Sequence, residues 1–326
     1  MSSMKKWLQG LMIAAVAVGM TACGSSETTG EDKQAEGNTG EVDHAEVDRS
    51  NWPETFVYGI LPTEDQGELA SRFEALEDYL EEKVGIEFEL FVGTDYNALI
   101  EGMRNGHVHA SGFGPFSYML AHERANAEAF ATGVSDPEDA FYYSWFITLE
   151  ETNLNGLEDL DGATIAYADP ASTSGHIFPK GMLITELGLT MDNVDDYFSY
   201  VTFSGSHEAS LYSVLNGDVD VAGVCSSCIE NIYDRVEDHP NFEQLKVIAE
   251  SDPIPNGPQA ISMDLPEDLR ELIIDAFLTM HEDPSMQEFL ESNGYDAGYI
   301  EVDDSMYDVV RETAEALEMS AEDLLN

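Results

Sequence analysis

Three consecutive hydroxyl side chains stand at one turn in the middle of the sequence. Ser172, Thr173 and Ser174 lie in the run Asp169–His176, which follows a predicted strand and precedes a predicted helix. Free backbone N–H groups at a helix start, with the helix dipole behind them, form a site for an anion. The hydroxyls add O–H donors, and Gly175 lets the backbone approach the ligand closely. An ordinary N-cap needs one hydroxyl, so three in a row favour oxyanion binding.

Two further turns bring hydrogen-bonding side chains to strand ends. His207 begins a predicted helix, and its imidazole has an N–H donor in either protonation state. In the N-terminal half, the segment 112–118 passes from a strand through a glycine-rich turn into a helix. Tyr118 and Tyr96 could each place a phenol at a cleft. Taken alone, a single histidine is more often structural, and the spacing of both tyrosines is also that of core aromatics.

Predicted strands alternate with predicted helices along the chain, which implies parallel β-α-β units. The strands are expected at 55–61, 86–92, 110–114, 163–167, 200–203 and 219–223. The alternation falls into two α/β series followed by a mostly helical section. We therefore predict a first lobe from 51–148, a second lobe from 149–252, and a return to the first lobe with C-terminal helices from 253–326.

The N-terminus has the features of an export signal. Two lysines precede an apolar run over 11–20, which is too short to span ~30 Å of hydrocarbon. The following Met-Thr-Ala-Cys resembles the lipobox of bacterial lipoproteins, so we expect a lipoprotein signal peptide over 1–22 and lipidation of Cys23. The alternative is a signal that is cleaved elsewhere. Residues 23–50 are rich in Gly, Ser, Thr and acids, which predicts a flexible acidic tether. Such a protein would be extracytoplasmic and anchored to the cell membrane.

Two cysteines remain, Cys225 and Cys228, in the spacing C-x-x-C. In an exported protein this pair favours a small-loop disulfide. Free thiols are the alternative, and a redox or metal-binding pair is a third possibility. A metal site would need further ligands at suitable spacing, and the sequence has no second pair. We therefore predict no metal and no cofactor.

The charge balance excludes several classes of partner. The chain has 65 Asp and Glu against 13 Lys and Arg, a formal net charge of −52. Affinity for nucleic acid comes mainly from basic residues that neutralise phosphates, so we expect no nucleic acid and no electrostatic docking to anionic lipid. Because ~1 M salt shortens the screening length to ~3 Å, we interpret the charge as adaptation to high salt. An acidic protein from an ordinary habitat is the alternative.

Several of these motifs together resemble the phosphate/phosphite/phosphonate-binding proteins, the substrate-binding components of ABC importers. The similar segments are Asp169–Pro179 (D-P-x-S-T-S-G-x-x-x-P), the G-P-x-x-Y turn ending at Tyr118, and His207 followed by N-G-D-V-D at 216–220. The resemblance covers approximately 55–295. It implies an α/β, two-lobed type II periplasmic-binding-protein fold with two crossovers and a ligand cleft between the lobes.

The same resemblance implies roles for individual residues. Ser172, Thr173, Ser174 and His207 would hold the ligand oxygens, with Gly175 behind them and Tyr96 and Tyr118 contributing from the first lobe. Partners would be a small oxyanion and an ABC transporter permease, and we expect a monomer.

The sequence departs from aminophosphonate binders at two places. Some of those proteins have an Asn-rich stretch with a Glu after the position of Asp220, where this chain reads G-V-C-S-S-C-I-E over 223–230. In a later loop some have an acid where this chain has Asn256 and Gly257. A ligand ammonium would need a carboxylate, and Glu230 is the one acid that could serve. We therefore expect phosphite, phosphate or a small alkylphosphonate ahead of aminoethylphosphonate.

Enzymes form the competing class. The sequence has no G-x-S-x-G nucleophile turn, and no H-E-x-x-H, P-loop or G-x-G-x-x-G motif. Ser172 beside His207 could act as nucleophile and base, but adjacent hydroxyls suit oxyanion binding better. We predict a binding protein without catalytic residues, and a same-fold binding or sensor protein for another small anion is the alternative.

Overall fold

The computed structural model describes residues 49–138 and 140–317. The predicted signal peptide, Cys23 and all but the last two residues of the predicted tether lie outside the described residues. No described helix combines the length and the apolar character that crossing a membrane requires.

Thirteen strands and ten α-helices form the described part of the chain. The strands are β1 (Thr55–Ile60), β2 (Glu87–Val92), β3 (Ala110–Gly112), β4 (Ala127–Gly133), β5 (Phe141–Tyr142), β6 (Ser144–Leu149), β7 (Thr164–Tyr167), β8 (Tyr200–Phe203), β9 (Val221–Cys225), β10 (Leu245–Glu250), β11 (Ile254–Pro255), β12 (Pro258–Ser262) and β13 (Tyr299–Glu301). The helices are α1 (Gln66–Val84), α2 (Tyr96–Arg104), α3 (Pro115–Ala125), α4 (Phe178–Leu187), α5 (His207–Leu215), α6 (Ser226–Asn231), α7 (Tyr233–Val236), α8 (Glu267–Leu278), α9 (Gln287–Ser292) and α10 (Asp308–Ala316).

Two mixed sheets form the centres of two lobes. The six-stranded sheet has the order β13-β4-β12-β3-β1-β2, and the five-stranded sheet has the order β10-β6-β9-β7-β8. The β-α-β units β1-α1-β2 and β7-α4-β8 give parallel pairs, as expected. Strands β4, β12 and β13 of the first sheet, and β6 and β10 of the second, pair antiparallel.

The chain crosses between the sheets twice. Short strands β5 and β11 lie on the two crossovers and pair antiparallel with each other. After the second crossover, β12 inserts between β3 and β4 of the first sheet, so the C-terminal section returns to the first lobe. The strand Ser144–Leu149 pairs with β9 and β10, so the crossover precedes residue 144 and does not fall at the expected position of 149.

Each sheet is covered by helices on both faces. Apolar residues of α1, α8 and α9 pack in one core of the first sheet, and residues of α2, α3 and α10 pack in another. In the second lobe, α5, α6 and α7 contribute to one core and α4 contributes to the other. This layered α/β architecture leaves the loops after the strands free to form a site.

Local sequence explains the ends of the elements. Helix α1 begins where the Asp65 carboxylate accepts hydrogen bonds from the backbone N–H groups of Gly67 and Glu68, and it ends at Gly85 with φ 75°. The side chain of Asp95 caps α2, and Pro115 occupies the first turn of α3. Because α2 and α3 follow β2 and β3, which both run parallel to β1, the N-termini of the two helices lie at the same edge of the first sheet.

Candidate anion-binding site

A cavity of about 630 Å³ lies where the two sheets face each other. Its walls come from loops that follow β1 and β3 in the first lobe, from the turn after β7, from the start of α5 and from both crossovers. Six of the binding residues predicted from the sequence line this cavity: Ser172, Thr173, Ser174, His207, Tyr96 and Glu230. The structure therefore brings most of the predicted binding residues into one cavity.

The hydroxyl run lies at the start of a helix. Ser172 caps one turn of π-helix, Thr173–Ile177, which continues directly into α4. The Ser172 hydroxyl accepts a hydrogen bond from Gly175 N at 3.0 Å. Among the described residues, the backbone N–H groups of Thr173 and Ser174 have no acceptor. These two N–H groups, with the dipole of the following helix behind them, form the anion-binding geometry expected from the sequence.

The turn also contacts both helix N-termini of the first lobe. The Thr173 hydroxyl accepts a hydrogen bond from Phe116 N of α3 at 2.9 Å. The Asp169 carboxylate accepts from Tyr96 N of α2 at 3.4 Å and from Ala171 N at 2.8 Å. Since the oxygens of Ser172 and Thr173 already accept hydrogen bonds from backbone N–H groups, each O–H proton remains available to a ligand oxygen.

Gly175 is required by packing. A Cβ atom at this position would lie 2.5 Å from Ala168 Cβ, 2.8 Å from His207 Cε1 and 2.8 Å from Ser172 Oγ. Real Cβ atoms do not approach this closely, so any side chain would displace the binding hydroxyl and the histidine together. Gly175 itself does not line the cavity; it lets the binding groups of two elements meet.

His207 is held in one tautomer. Its Nδ1 atom accepts a hydrogen bond from Cys225 N at 3.1 Å, so in the neutral ring the proton is on Nε2. Nε2 lies 3.4 Å from the Ser172 hydroxyl and 3.5 Å from the Tyr96 hydroxyl. Burial lowers the pKa of His207 to about 4. At neutral pH the side chain is therefore a neutral N–H donor that faces the cavity.

Two tyrosines supply phenols to the same region. Burial, and next the charge of Asp169, raises the pKa of Tyr96, so its hydroxyl stays protonated. Tyr142 of strand β5 also lines the cavity, and burial raises its pKa to about 12 while the hydroxyls of Ser174 and Thr173 oppose that shift. No motif in the sequence predicted Tyr142, because it lies on the short crossover strand β5.

The structure does not bring Tyr118 to the cavity. Its hydroxyl donates to Asp304 Oδ1 at 3.0 Å and accepts from Ala129 N at 3.2 Å, and its ring packs against Tyr307. Tyr118 lies within α3, whereas Phe113, Gly114 and Pro115 are the residues of this segment that line the cavity. The expectation that Tyr118 contributes to the site does not fit its position.

The C-x-x-C pair lies beside the histidine. Cys225 and Cys228 are joined by a disulfide, and the Cys225 sulfur accepts from Cys228 N at the start of α6. Ligand atoms of His207, Cys225 and Cys228 come within 4.8 Å of one another. Because metal binding requires thiolates, this cluster is not a metal site in its oxidised form. The disulfide instead fixes the backbone that orients His207.

Four carboxylates line the cavity: Glu230, Glu250 and Asp296 are exposed, and the buried Glu64 pairs with Arg72 and Arg235. Glu230 lines the cavity but is exposed near the end of α6. A Cβ atom at Gly257 would lie 2.1 Å from the Phe113 carbonyl oxygen, so packing excludes a side chain there. Arg72 is the one Lys or Arg among the described residues that line the cavity, and it pairs with Glu64. Neutral donors therefore dominate the anion-binding end.

A family comparison agrees with this geometry. The sequence profile of a family described as "ABC transporter, phosphonate, periplasmic substrate-binding protein" matches residues 58–307. The chain is 28% identical over 278 residues to the phosphate-import protein PhnD of Mycolicibacterium smegmatis, covering 80% of this chain and 85% of that protein. It is 29% identical over 243 residues to the phosphonates-binding periplasmic protein of Escherichia coli, covering 73% and 70%.

Solved structures share the fold. The phosphonate-transporter binding component of Pseudomonas aeruginosa superposes with a TM-score of 0.74 at 24% identity, covering 81% of this chain and 86% of that one. PhnD1 of Prochlorococcus marinus, in complex with methylphosphonate, superposes with a TM-score of 0.74 at 20% identity, covering 82% and 100%. The two-lobed α/β fold predicted from the sequence is confirmed.

Proposed function

The chain belongs to the family of periplasmic substrate-binding proteins of phosphonate ABC transporters, and we propose that it captures a phosphonate, phosphite or phosphate anion and delivers it to an ABC importer permease. The binding components that it resembles are not enzymes. Its ligand would bind in the cavity between the lobes, and closure of the lobes would present the loaded protein to the permease.

One observation carries this proposal. The hydroxyls of Ser172 and Thr173 accept hydrogen bonds from backbone N–H groups, so the O–H proton of each is free to donate to a ligand oxygen, and His207 adds a neutral Nε2–H donor beside them. Three protein donors that converge with a helix N-terminus suit a tetrahedral oxyanion. Ser174, Tyr96 and Tyr142 complete the proposed ligand shell.

We extend the proposal to the cell surface. An acidic tether lipidated at Cys23 would keep the protein at the outer side of the cell membrane as a monomer, close to its permease. Metabolic labelling with a fatty-acid analogue should label the wild type and leave a Cys23→Ser variant unlabelled and released. Equal labelling of both would contradict the anchor.

Calorimetric titration tests the ligand class. Residues 24–326 in molar salt should bind at least one of phosphate, phosphite, methylphosphonate and aminoethylphosphonate with saturation. Ser172→Ala should weaken that binding by ~1.5–3 kcal/mol, since it removes a hydrogen bond to a charged group. Ser292→Ala removes an exposed hydroxyl that bonds only Phe289 O and should leave affinity unchanged. Unaltered affinity in Ser172→Ala would remove the hydroxyl run from the site, and no binding of the four anions would favour a same-fold protein for another anion.

A further inference from the structure

One side chain of the first lobe faces the cavity with a hydrogen-bond donor that has no protein partner. Gln259 lies on β12, is 6% exposed and lines the cavity. Its Oε1 atom accepts a hydrogen bond from the Tyr58 hydroxyl. Among the described residues, its Nε2 atom has no hydrogen-bond acceptor. Nε2 is not among the fully buried side-chain atoms that have no partner, which fits an atom that is accessible from the cavity.

Tyr58 fixes the orientation of this carboxamide. Its ring packs against Phe73 and Phe277 in the core, and burial raises its pKa, so the phenol keeps its proton and acts as a donor. A phenol that donates to the carboxamide oxygen leaves the NH₂ group on the opposite branch. Gln259 therefore presents two N–H bonds and no acceptor on the side away from Tyr58.

The carboxamide lines the same cavity as the hydroxyl run. Gln259 pairs with Gly112 across β12 and β3, and a Cβ atom at Gly112 would lie 3.1 Å from Gln259 Nε2. Two residues later, a Cβ atom at Gly114 would lie 3.2 Å from the Thr173 hydroxyl oxygen. Gly112 and Gly114 line the same cavity as Gln259 and Thr173, and a side chain at either glycine would crowd the carboxamide or the hydroxyl run.

We propose that Gln259 is a specificity-determining residue that donates a hydrogen bond to an oxygen on the ligand's fourth phosphorus substituent, so that the cleft favours phosphate or a phosphate monoester over phosphonates and phosphite. This inference rests on the proposed function and narrows its ligand class. An oxygen substituent can accept from the NH₂ group, whereas a P–H or P–CH₃ group would leave a buried donor without a partner. Sites built around a hydrogen bond discriminate strongly against analogues that cannot make it.

The surroundings agree with an uncharged acceptor on the ligand. An aminoalkyl group on the ligand would place its ammonium beside the carboxamide NH₂ of Gln259. Both groups are hydrogen-bond donors, so neither would have an acceptor. Packing excludes an acid at Gly257, and the Asp169 carboxylate already accepts from two backbone N–H groups. The cavity volume of about 630 Å³ leaves room for the organic part of a monoester.

Competition between ligands tests the proposal. Calorimetric affinities of the wild type should favour phosphate over methylphosphonate by about tenfold or more. Gln259→Leu should remove most of that ratio by weakening phosphate alone. Gln259→Glu places an acceptor at the same point and should reverse the ratio of phosphate to aminoethylphosphonate. Gln287→Leu, at an exposed carboxamide that bonds Glu291, should keep the wild-type ratio.

Tyr58→Phe gives a second test that removes a single oxygen. Freed from the phenol, the carboxamide can rotate, and the ratio of phosphate to methylphosphonate affinity should fall several-fold. Wild-type preference for methylphosphonate, or equal losses for both ligands in Gln259→Leu and Tyr58→Phe, would overturn the assignment of Gln259 while leaving the proposed function intact. Failure of the wild type to bind any phosphorus oxyanion would overturn both.

Discussion

At the scale of single residues, the proposed anion-binding end of the cavity contains donors that also accept a hydrogen bond from a backbone N–H group. Ser172 and Thr173 accept from backbone N–H groups, and His207 accepts at Nδ1, so each keeps an O–H or N–H proton that could donate to a ligand oxygen. A neutral donor binds an anion without the desolvation cost of a buried ammonium or guanidinium. This arrangement resolves how a chain of net charge −52 could hold an anion: the attraction is local.

The titration of His207 gives a pH prediction. Its pKa is lowered to about 4 in the folded protein by burial, against ~6.5 in an unfolded chain. As pH falls from 6.5 to 4, the unfolded state takes up the proton first, so stability is lost through that window by ~3 kcal/mol. His176, lowered to about 3 mainly by burial, adds a loss in the same direction.

Chemical denaturation between pH 4 and 8 measures this effect. His207→Gln should show a shallower loss of the free energy of unfolding below pH 6.5 than the wild type. The exposed His107, changed to Gln, should reproduce the wild-type slope. Identical slopes in all three proteins would show that His207 titrates normally, and ¹⁵N spectra of the imidazole should report the Nε2–H tautomer at neutral pH.

The sequence predicted the candidate binding residues unevenly, for physical reasons. Four residues follow strand ends in recognisable turns and line the cavity: Ser172, Thr173, Ser174 and His207. Tyr142 and Gln259 lie on short strands at a crossover and in the first sheet, where only tertiary pairing defines the direction of the side chain. Tyr118 satisfied the spacing of a motif, but its phenol has Asp304 and Ala129 as partners in the core.

At the scale of elements, the strands that form parallel pairs were predictable, and the antiparallel strands β4, β6, β10, β12 and β13 were not. Strand β4 reads A-E-A-F-A-T-G, a run of weak β-formers, yet six of its seven residues are buried because β12 and β13 pair on either side of it. Most of strand β6 falls within the predicted first lobe, 51–148, but β6 pairs with β9 and β10 in the sheet of the second lobe. Local propensity cannot reveal a strand whose partners are more than a hundred residues away.

Contact between the turn after β7 and helix α3 gives a prediction at this scale. Thr173→Val removes the acceptor for Phe116 N with little change of shape, and it also removes one ligand donor. Ligand affinity should fall by about tenfold or more, since a buried N–H is left without a partner. Thr173→Ser keeps the hydroxyl and should retain most of the affinity. Affinity that is retained in Thr173→Val and lost in Thr173→Ser would show that the methyl group matters and the hydrogen bond does not.

At the scale of the whole molecule, charged groups join the lobes at the mouth of the cavity. The Glu64 carboxylate of the first lobe is buried between Arg72 of the same lobe and Arg235 of α7 in the second. The Glu208 carboxylate accepts from Asp65 N at 2.7 Å, and Glu208 N donates to Thr63 O at 3.3 Å. These contacts exist only when the lobes are close, so they favour the closed form.

Loss of Arg235 should therefore open the molecule. Arg235→Gln leaves the buried Glu64 with one partner, and breaking such a pair is costly. We expect a larger radius of gyration in X-ray scattering of the ligand-free protein and a several-fold faster ligand dissociation. Arg104→Gln, which removes an exposed pair with Glu101 on one helix, should change neither quantity. A wild-type dissociation rate in Arg235→Gln would show that these contacts do not control closure.

The net charge acts on stability and on ligand capture through the same screening. At low ionic strength the acidic groups repel each other and repel an approaching anion, and ~1 M salt reduces the range of both effects to ~3 Å. The melting temperature and the association rate constant should therefore both rise from dilute buffer to molar KCl. An uncharged osmolyte at matched osmolality screens nothing and should leave the association rate constant unchanged apart from viscosity. A melting temperature that did not rise with KCl would argue against salt adaptation. An association rate constant that fell with KCl would mean that a local positive potential steers the ligand despite the overall negative charge.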